Sequence, residues 1–106
     1  MAEKGPTLRF SSAARRLGAA ARAAGLVVPA FRCPPRVHGV QRTIRRYPGG
    51  AVVSVLLRDR PFADVVSDMV EGVLVVNALR GEAADRMRAA LAEATAVTDE
   101  AEPRAA

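Results

Sequence analysis

A chain of 106 residues with 50% hydrophobic and only 4% aromatic residues makes one domain at most, with a core of Val, Leu and Ala. Its formal charge of +5 is divided along the chain: residues 1–60 hold twelve of the sixteen Lys+Arg against two acids, net +10, and residues 61–106 hold four bases against nine acids, net −5. The single cysteine excludes an intramolecular disulfide and a multi-cysteine metal site, and no apolar run approaches the roughly 20 residues that span a bilayer.

Residues 1–7 (MAEKGPT) read as a flexible lead-in. Ser11 or Ser12 is the expected cap of a helix that runs to about Ala24, with Gly25 as its stop. Ala13, Ala14, Leu17, Ala20, Ala21 and Ala24 recur at helical spacing. The stripe is shallow, so such a helix leans on a neighbour for stability. Gly18 weakens it by about 1 kcal/mol relative to Ala. The composition of residues 8–24, rich in Arg, Ser and Ala without an acid, also suits a mitochondrial presequence, although Glu3 counts against it. We take the plainer reading, an amphipathic helix with a basic outer face.

Leu26–Val28, closed by Pro29, is expected to pair as an edge strand. Phe31 to Arg36 (FRCPPR) reads as an extended connector, because two adjacent prolines deny it backbone donors. Val40 to Tyr47 is the next strand, and Pro48-Gly49-Gly50 is the three-residue loop of a hairpin. Ala51 to Arg58 is the strongest strand. Val53, Val55 and Leu57 share one face, and Val52, Ser54 and Leu56 share the other, the near-continuous pattern of a central strand.

Asp59 or Arg60 at the cap and Pro61 near the first turn open a second helix. Phe62, Val65, Val66, Met69, Val70 and Val73 keep the 3-4-3 spacing. Beyond Gly72 two readings stand: a helix continuing to Leu79, or a third strand at Val73–Val76. Propensity favours the strand, the lack of any loop favours the helix, and we take the helix. Gly81 then separates a last helix, Glu82 to about Ala96, with Ala83, Ala84, Met87, Ala90, Leu91 and Ala94 as its stripe. The tail 97–106 is expected to fray.

The expected fold class is therefore α+β: an N-terminal helix, a β-hairpin and two C-terminal helices on the sheet, in a two-layer arrangement. It forms a single domain over 1–106 with flexible ends at 1–7 and 97–106. The apolar face of Phe62–Leu79 exceeds what one thin layer covers, which makes a homodimer a further expectation.

Few residues offer chemistry. His38 is the only histidine and has no neighbouring carboxylate or nucleophile in sequence, so it reads as a surface residue. Cys33 lies between Arg32 and Arg36, which would lower the pKa of an exposed thiol; we read it as a small buried anchor. Asp64, Asp68 and Glu71 share a helix face but bring no further oxygen ligand for a cation, and read as solvated. Gly49-Gly50 lacks the rest of a phosphate loop. No enzyme, cofactor or metal is expected.

The remaining constellation is basic. Arg42, Arg45 and Arg46 flank the hairpin, Arg32 and Arg36 precede it, and Tyr47 stands beside the turn. Strand alternation puts Arg42 and Arg46 on one face with Ile44, and Arg45 on the other with Tyr47. Such a ribbon can lie along phosphates while Tyr47 stacks on a base. A solvated edge strand, protected from aggregation by its charges, is the competing reading. The expected function is a small, basic, non-catalytic binding protein that contacts nucleic-acid phosphates through Arg32, Arg36, Arg42, Arg45, Arg46 and Tyr47. The alternative is a protein-interaction adaptor or regulator, self-associating or bound to another protein, with no nucleic-acid role. Neither involves a membrane.

The run VPAFRCPPR, followed by RTIRRYPGGAVVSVLLRDRPFADVVSDMVEGVLVVNALRG, resembles short proteins of unknown function from GC-rich actinobacteria, over about residues 27–81. The resemblance implies a cytoplasmic bacterial protein, which argues against a presequence. It implies no activity.

Overall fold

The computed structural model describes residues 6–32, 42–55 and 61–101, with side chains described for 10–32, 44–46, 48–55 and 61–95. Among these residues the chain forms α1 (Pro6–Ala23), β1 (Ala30–Arg32), β2 (Arg42–Tyr47), β3 (Gly50–Val55), α2 (Phe62–Val76) and α3 (Gly81–Ala101). The arrangement is α+β, as expected.

α1 begins earlier than the serines suggest. Pro6 is its first residue, a position where the missing N–H is no loss and the fixed φ is already helical. Ser12 consequently lies inside the helix and is buried beside Phe10, Ala13, Leu17 and Ala21. The helix ends in a Schellman motif. Gly25 adopts φ +80°, its N–H donates to the Arg22 carbonyl, and the Leu26 N–H donates to the Ala21 carbonyl.

The sheet has the order β1-β3-β2. β2 and β3 form the expected antiparallel hairpin, with Tyr47 opposite Gly50, so the loop is Pro48-Gly49 and one residue shorter than expected. β1 pairs parallel to β3, with Ala30, Phe31 and Arg32 opposite Val52, Val53 and Ser54. Two expectations are corrected here. The third strand is Ala30–Arg32, and Leu26–Val28 lies outside the sheet. With β1 on one edge of β3 and β2 on the other, β3 is central, and Val73–Val76 has no place beside it.

That segment is instead the last turn of α2, which ends at Val76 and not at Leu79. Pro61 is the N-cap, with no side-chain capping bond, so the expected cap at Asp59 or Arg60 moves one position onward. The helix stripe is deep: Val65, Met69, Val70, Val73, Leu74 and Val76 are buried. α2 packs on β2 and β3 on one side and contacts both α1 and α3. At Gly72 it lies close against the sheet, where a Cβ would stand 2.8 Å from Val53 Cγ1. α3, expected on the sheet, packs chiefly on α1 and α2 among the described residues. Its helix continues through Ala101, well beyond the expected Ala96 and into the segment expected to fray. Ala84, Leu91 and Thr95 are its buried residues over 81–95, while Ala83 and Ala90, assigned to the stripe from spacing, are exposed.

The core comprises Phe10 and Leu17 from α1, Val53 and Val55 from β3, the α2 stripe, and Ala84 and Leu91 from α3. The buried stripe of α2 belongs to this core. Among the described residues, Val75 and, before β1, Val27 are the large apolar residues left exposed.

Candidate nucleic-acid interface

The two faces of the sheet differ in kind. Along β3, Ala51, Val53 and Val55 are buried under α2, whereas Val52 and Ser54 are half-exposed on the opposite side. The strand period of two fixes which arginines join which face. Arg46 lies opposite Ala51 and Ile44 opposite Val53, so both belong to the helical side. Arg45 lies opposite Val52 and Arg32 opposite Ser54, so both belong to the other.

The consequences are chemical as well as geometric. Ile44 packs against the core. The Arg46 guanidinium reaches the last carbonyl of α2, with Nη2 donating to Val76 O at 3.5 Å, the long limit of a hydrogen bond. α2 has no basic residue in its own last turn. Arg46 therefore supplies, from the sheet, the positive charge that favours a helix C-terminus. Of the arginines expected to contact phosphate, Arg46 thus has a contact on the helical side of the sheet while remaining exposed.

Arg32 and Arg45 remain. Both are exposed, on strands either side of β3, and neither is paired with a carboxylate among the described residues. Two strand spacings separate them laterally by roughly 10 Å, and the register offsets them by two residues, about 7 Å along the strands. Val52 and Ser54 lie between them, and Ala30 adjoins them on β1. The face is low in relief, half-apolar, and bracketed by two cations. Arg42 and Tyr47 are placed by their backbones, opposite Val55 and Gly50. Arg36, Cys33 and His38 lie outside the described residues. Sequence reasoning put Arg32 in a connector. Its membership of the sheet face comes from a three-residue parallel pairing for which the sequence has no periodic signal.

Three carboxylates of the C-terminal half pair with arginines of α3. Glu71 on α2 and Arg88 on α3 form a bidentate pair, Nε with Oε2 and Nη2 with Oε1 at 3.3 Å, and Arg88 Nη1 donates to Asp85 at 2.8 Å. Glu71 first, and Asp85 second, hold the Arg88 guanidinium above its ordinary pKa, so it stays cationic throughout the working pH range. Arg86 adds an exposed pair with Glu82 at 3.6 Å. The acidic helical layer thus uses its own bases for part of its neutralisation. Among the described residues no group of His, Cys, Asp or Glu could hold a metal ion, and no helix is long and apolar enough to cross a membrane.

Comparison of the chain with protein-family models, curated proteins and solved structures finds no match.

Proposed function

We propose that this is a non-catalytic, cytoplasmic protein that binds nucleic acid through phosphate contacts made by the face of its sheet opposite α2. The observation that carries the reading is the co-facing of Arg32 and Arg45, exposed and without carboxylate partners among the described residues. Two guanidiniums on one sheet face, without carboxylate partners among the described residues, attract anions more than anything else. The surrounding charge supports it: residues 1–60 carry a net +10, and Arg15, Arg16 and Arg22 are exposed on α1. Polyanions are drawn to such a surface from a distance set by the ionic strength.

The test is fluorescence anisotropy of labelled DNA and RNA at about 50 and 200 mM salt. Binding should weaken steeply with salt. Arg32→Ala and Arg45→Ala should each lower the slope of log K against log salt by about 0.7–0.9. Absence of binding at the lower salt sinks the reading. A nuclease-resistant complex with a second protein, found instead, would establish the adaptor alternative.

A further inference from the structure

We infer that the nucleic acid this face accepts is single-stranded. The inference rests on the proposed phosphate-binding role and deepens it.

The argument is one of shape. The double-helical major groove is about 12 Å wide and admits a helix or a two-stranded ribbon. The β2–β3 hairpin is not a free ribbon, because β3 is hydrogen-bonded on its other edge to β1. Three strands at their usual spacing, edges included, span about 14 Å, too broad to enter that groove. The hairpin cannot turn its other face to the groove either, because α2 lies on it with Gly72 seated against Val53. A duplex could therefore meet only the flat face, and would offer it a convex rim of phosphates.

A single strand can do more. Its unpaired bases can lie on the half-exposed Val52 and Ser54 while its backbone passes between Arg32 and Arg45. A guanidinium pairs with a phosphate through its donors and stacks on a base through its plane, so each arginine can take either role. Phosphate pairing and stacking on a guanidinium plane read no base edge. Sequence preference should accordingly be weak.

The experiment compares the intact protein's affinity for labelled oligothymidine with that for a mixed-sequence duplex of equal length, at one low salt concentration. Oligothymidine should bind about tenfold tighter or more, the range of one stacked base. Ser54→Glu puts a carboxylate on the face between the arginines and should reduce oligothymidine affinity by about tenfold or more, while Arg86→Ala, on α3, leaves it unchanged. Thermal unfolding of the Ser54→Glu protein verifies that the loss is not one of folding. If Ser54→Glu unfolds the chain, Ser54→Asn, uncharged, and the double variant Arg32→Gln with Arg45→Gln replace it as the pair to compare. Equal or tighter binding of the duplex overturns the inference and leaves phosphate binding standing. Binding of neither overturns both.

Discussion

The side-chain amide of Asn77, at the C-terminal cap of α2, is paired in both directions with the backbone of Val27. Oδ1 accepts the Val27 N–H at 2.7 Å, and Nδ2 donates to the Val27 carbonyl at 2.9 Å. The same Nδ2 also donates to the Val73 carbonyl, in the last turn of the helix, at 2.8 Å. One amide therefore pairs the Val27 backbone, which lies outside the sheet, and adds a second bond to the Val73 carbonyl, which already accepts the Asn77 N–H. It fixes the chain between α1 and β1 against the middle of the fold, and so helps to set where Ala30–Arg32 meets β3.

Replacing that amide separates its two roles. Asn77→Ala removes three hydrogen bonds whose partners water can partly recover, and should cost about 1–2 kcal/mol. Asn77→Asp should cost at least as much at neutral pH, because a carboxylate accepts from Val27 but cannot donate to two carbonyls, and sits at the negative end of a helix dipole. Those carbonyls favour the protonated form, which raises the folded-state pKa of the introduced acid. The Asp variant should thus recover stability as pH falls and lose it as pH rises through the unfolded and then the folded pKa. Denaturant midpoints measured against the parent at acid and neutral pH read this directly. A deficit independent of pH would show that the donated bonds contribute nothing.

Gly72 sets two effects against each other. Alanine is the better helix former by about 1 kcal/mol. Its Cβ, however, would meet Val53 Cγ1 at 2.8 Å and Cγ2 at 3.0 Å, on a fully buried strand residue with little room to yield. Overpacking of this kind costs about 1–3 kcal/mol. The clash should win, and Gly72→Ala should lower the denaturant midpoint. In a Val53→Ala background the same change should be neutral or stabilising, since both methyls are gone. Additive losses in the double variant would show that the two residues are not in contact.

Ala78 holds φ +57° as the left-handed residue that ends α2. Its N–H donates to Val75 O, and the next residue, Leu79, closes the motif on Leu74 O. At the equivalent place after α1 the chain has Gly25. The left-handed conformation costs an alanine about 1–2 kcal/mol, and glycine's added freedom in the unfolded chain returns about half of that. Ala78→Gly should therefore stabilise, raising Tm by a few degrees. Gly25→Ala should do the reverse. A lower Tm for Ala78→Gly would contradict the assignment of strain.

The parts of the fold legible in the sequence are those whose signal is local. Val52 to Val55 form a near-continuous apolar run beside Pro48-Gly49, and Val65 to Val73 repeat at helical spacing, so the hairpin and α2 could be read directly. Val73–Val76 stayed ambiguous because β propensity is decided by what a segment packs against, and here the slot beside β3 is taken by β1. β1 itself has three residues, too few for a period. The Asn77–Val27 pairing joins positions fifty residues apart, and nothing in either neighbourhood announces it. The candidate site was legible in composition and only partly in geometry. Alternation separated Arg45 from Arg46, but it could not say which face the helices would cover, nor that Arg32 would join Arg45.

That separation yields the sharpest test of the site, because two adjacent arginines should behave oppositely. Arg46 lies opposite Ala51 and reaches Val76 O, so its charge serves the C-terminus of α2. Arg46→Ala should destabilise the fold by about 0.3–1 kcal/mol, the value of a cation at a helix end. It should leave the salt slope of oligonucleotide binding nearly unchanged. Arg45 lies opposite Val52 on the open face, exposed. Arg45→Ala should leave the denaturant midpoint where it is and lower the slope by about 0.7, the value of one phosphate contact on a single strand. Both variants are to be measured by chemical denaturation and by anisotropy, in the same buffer. If Arg46→Ala lowers the slope as much as Arg45→Ala and does not affect stability, Arg46 leaves the helix end to meet phosphate, and the binding surface is the hairpin edge and not the open face. If neither moves the slope while Arg15→Ala or Arg16→Ala does, the anion-binding surface belongs to α1.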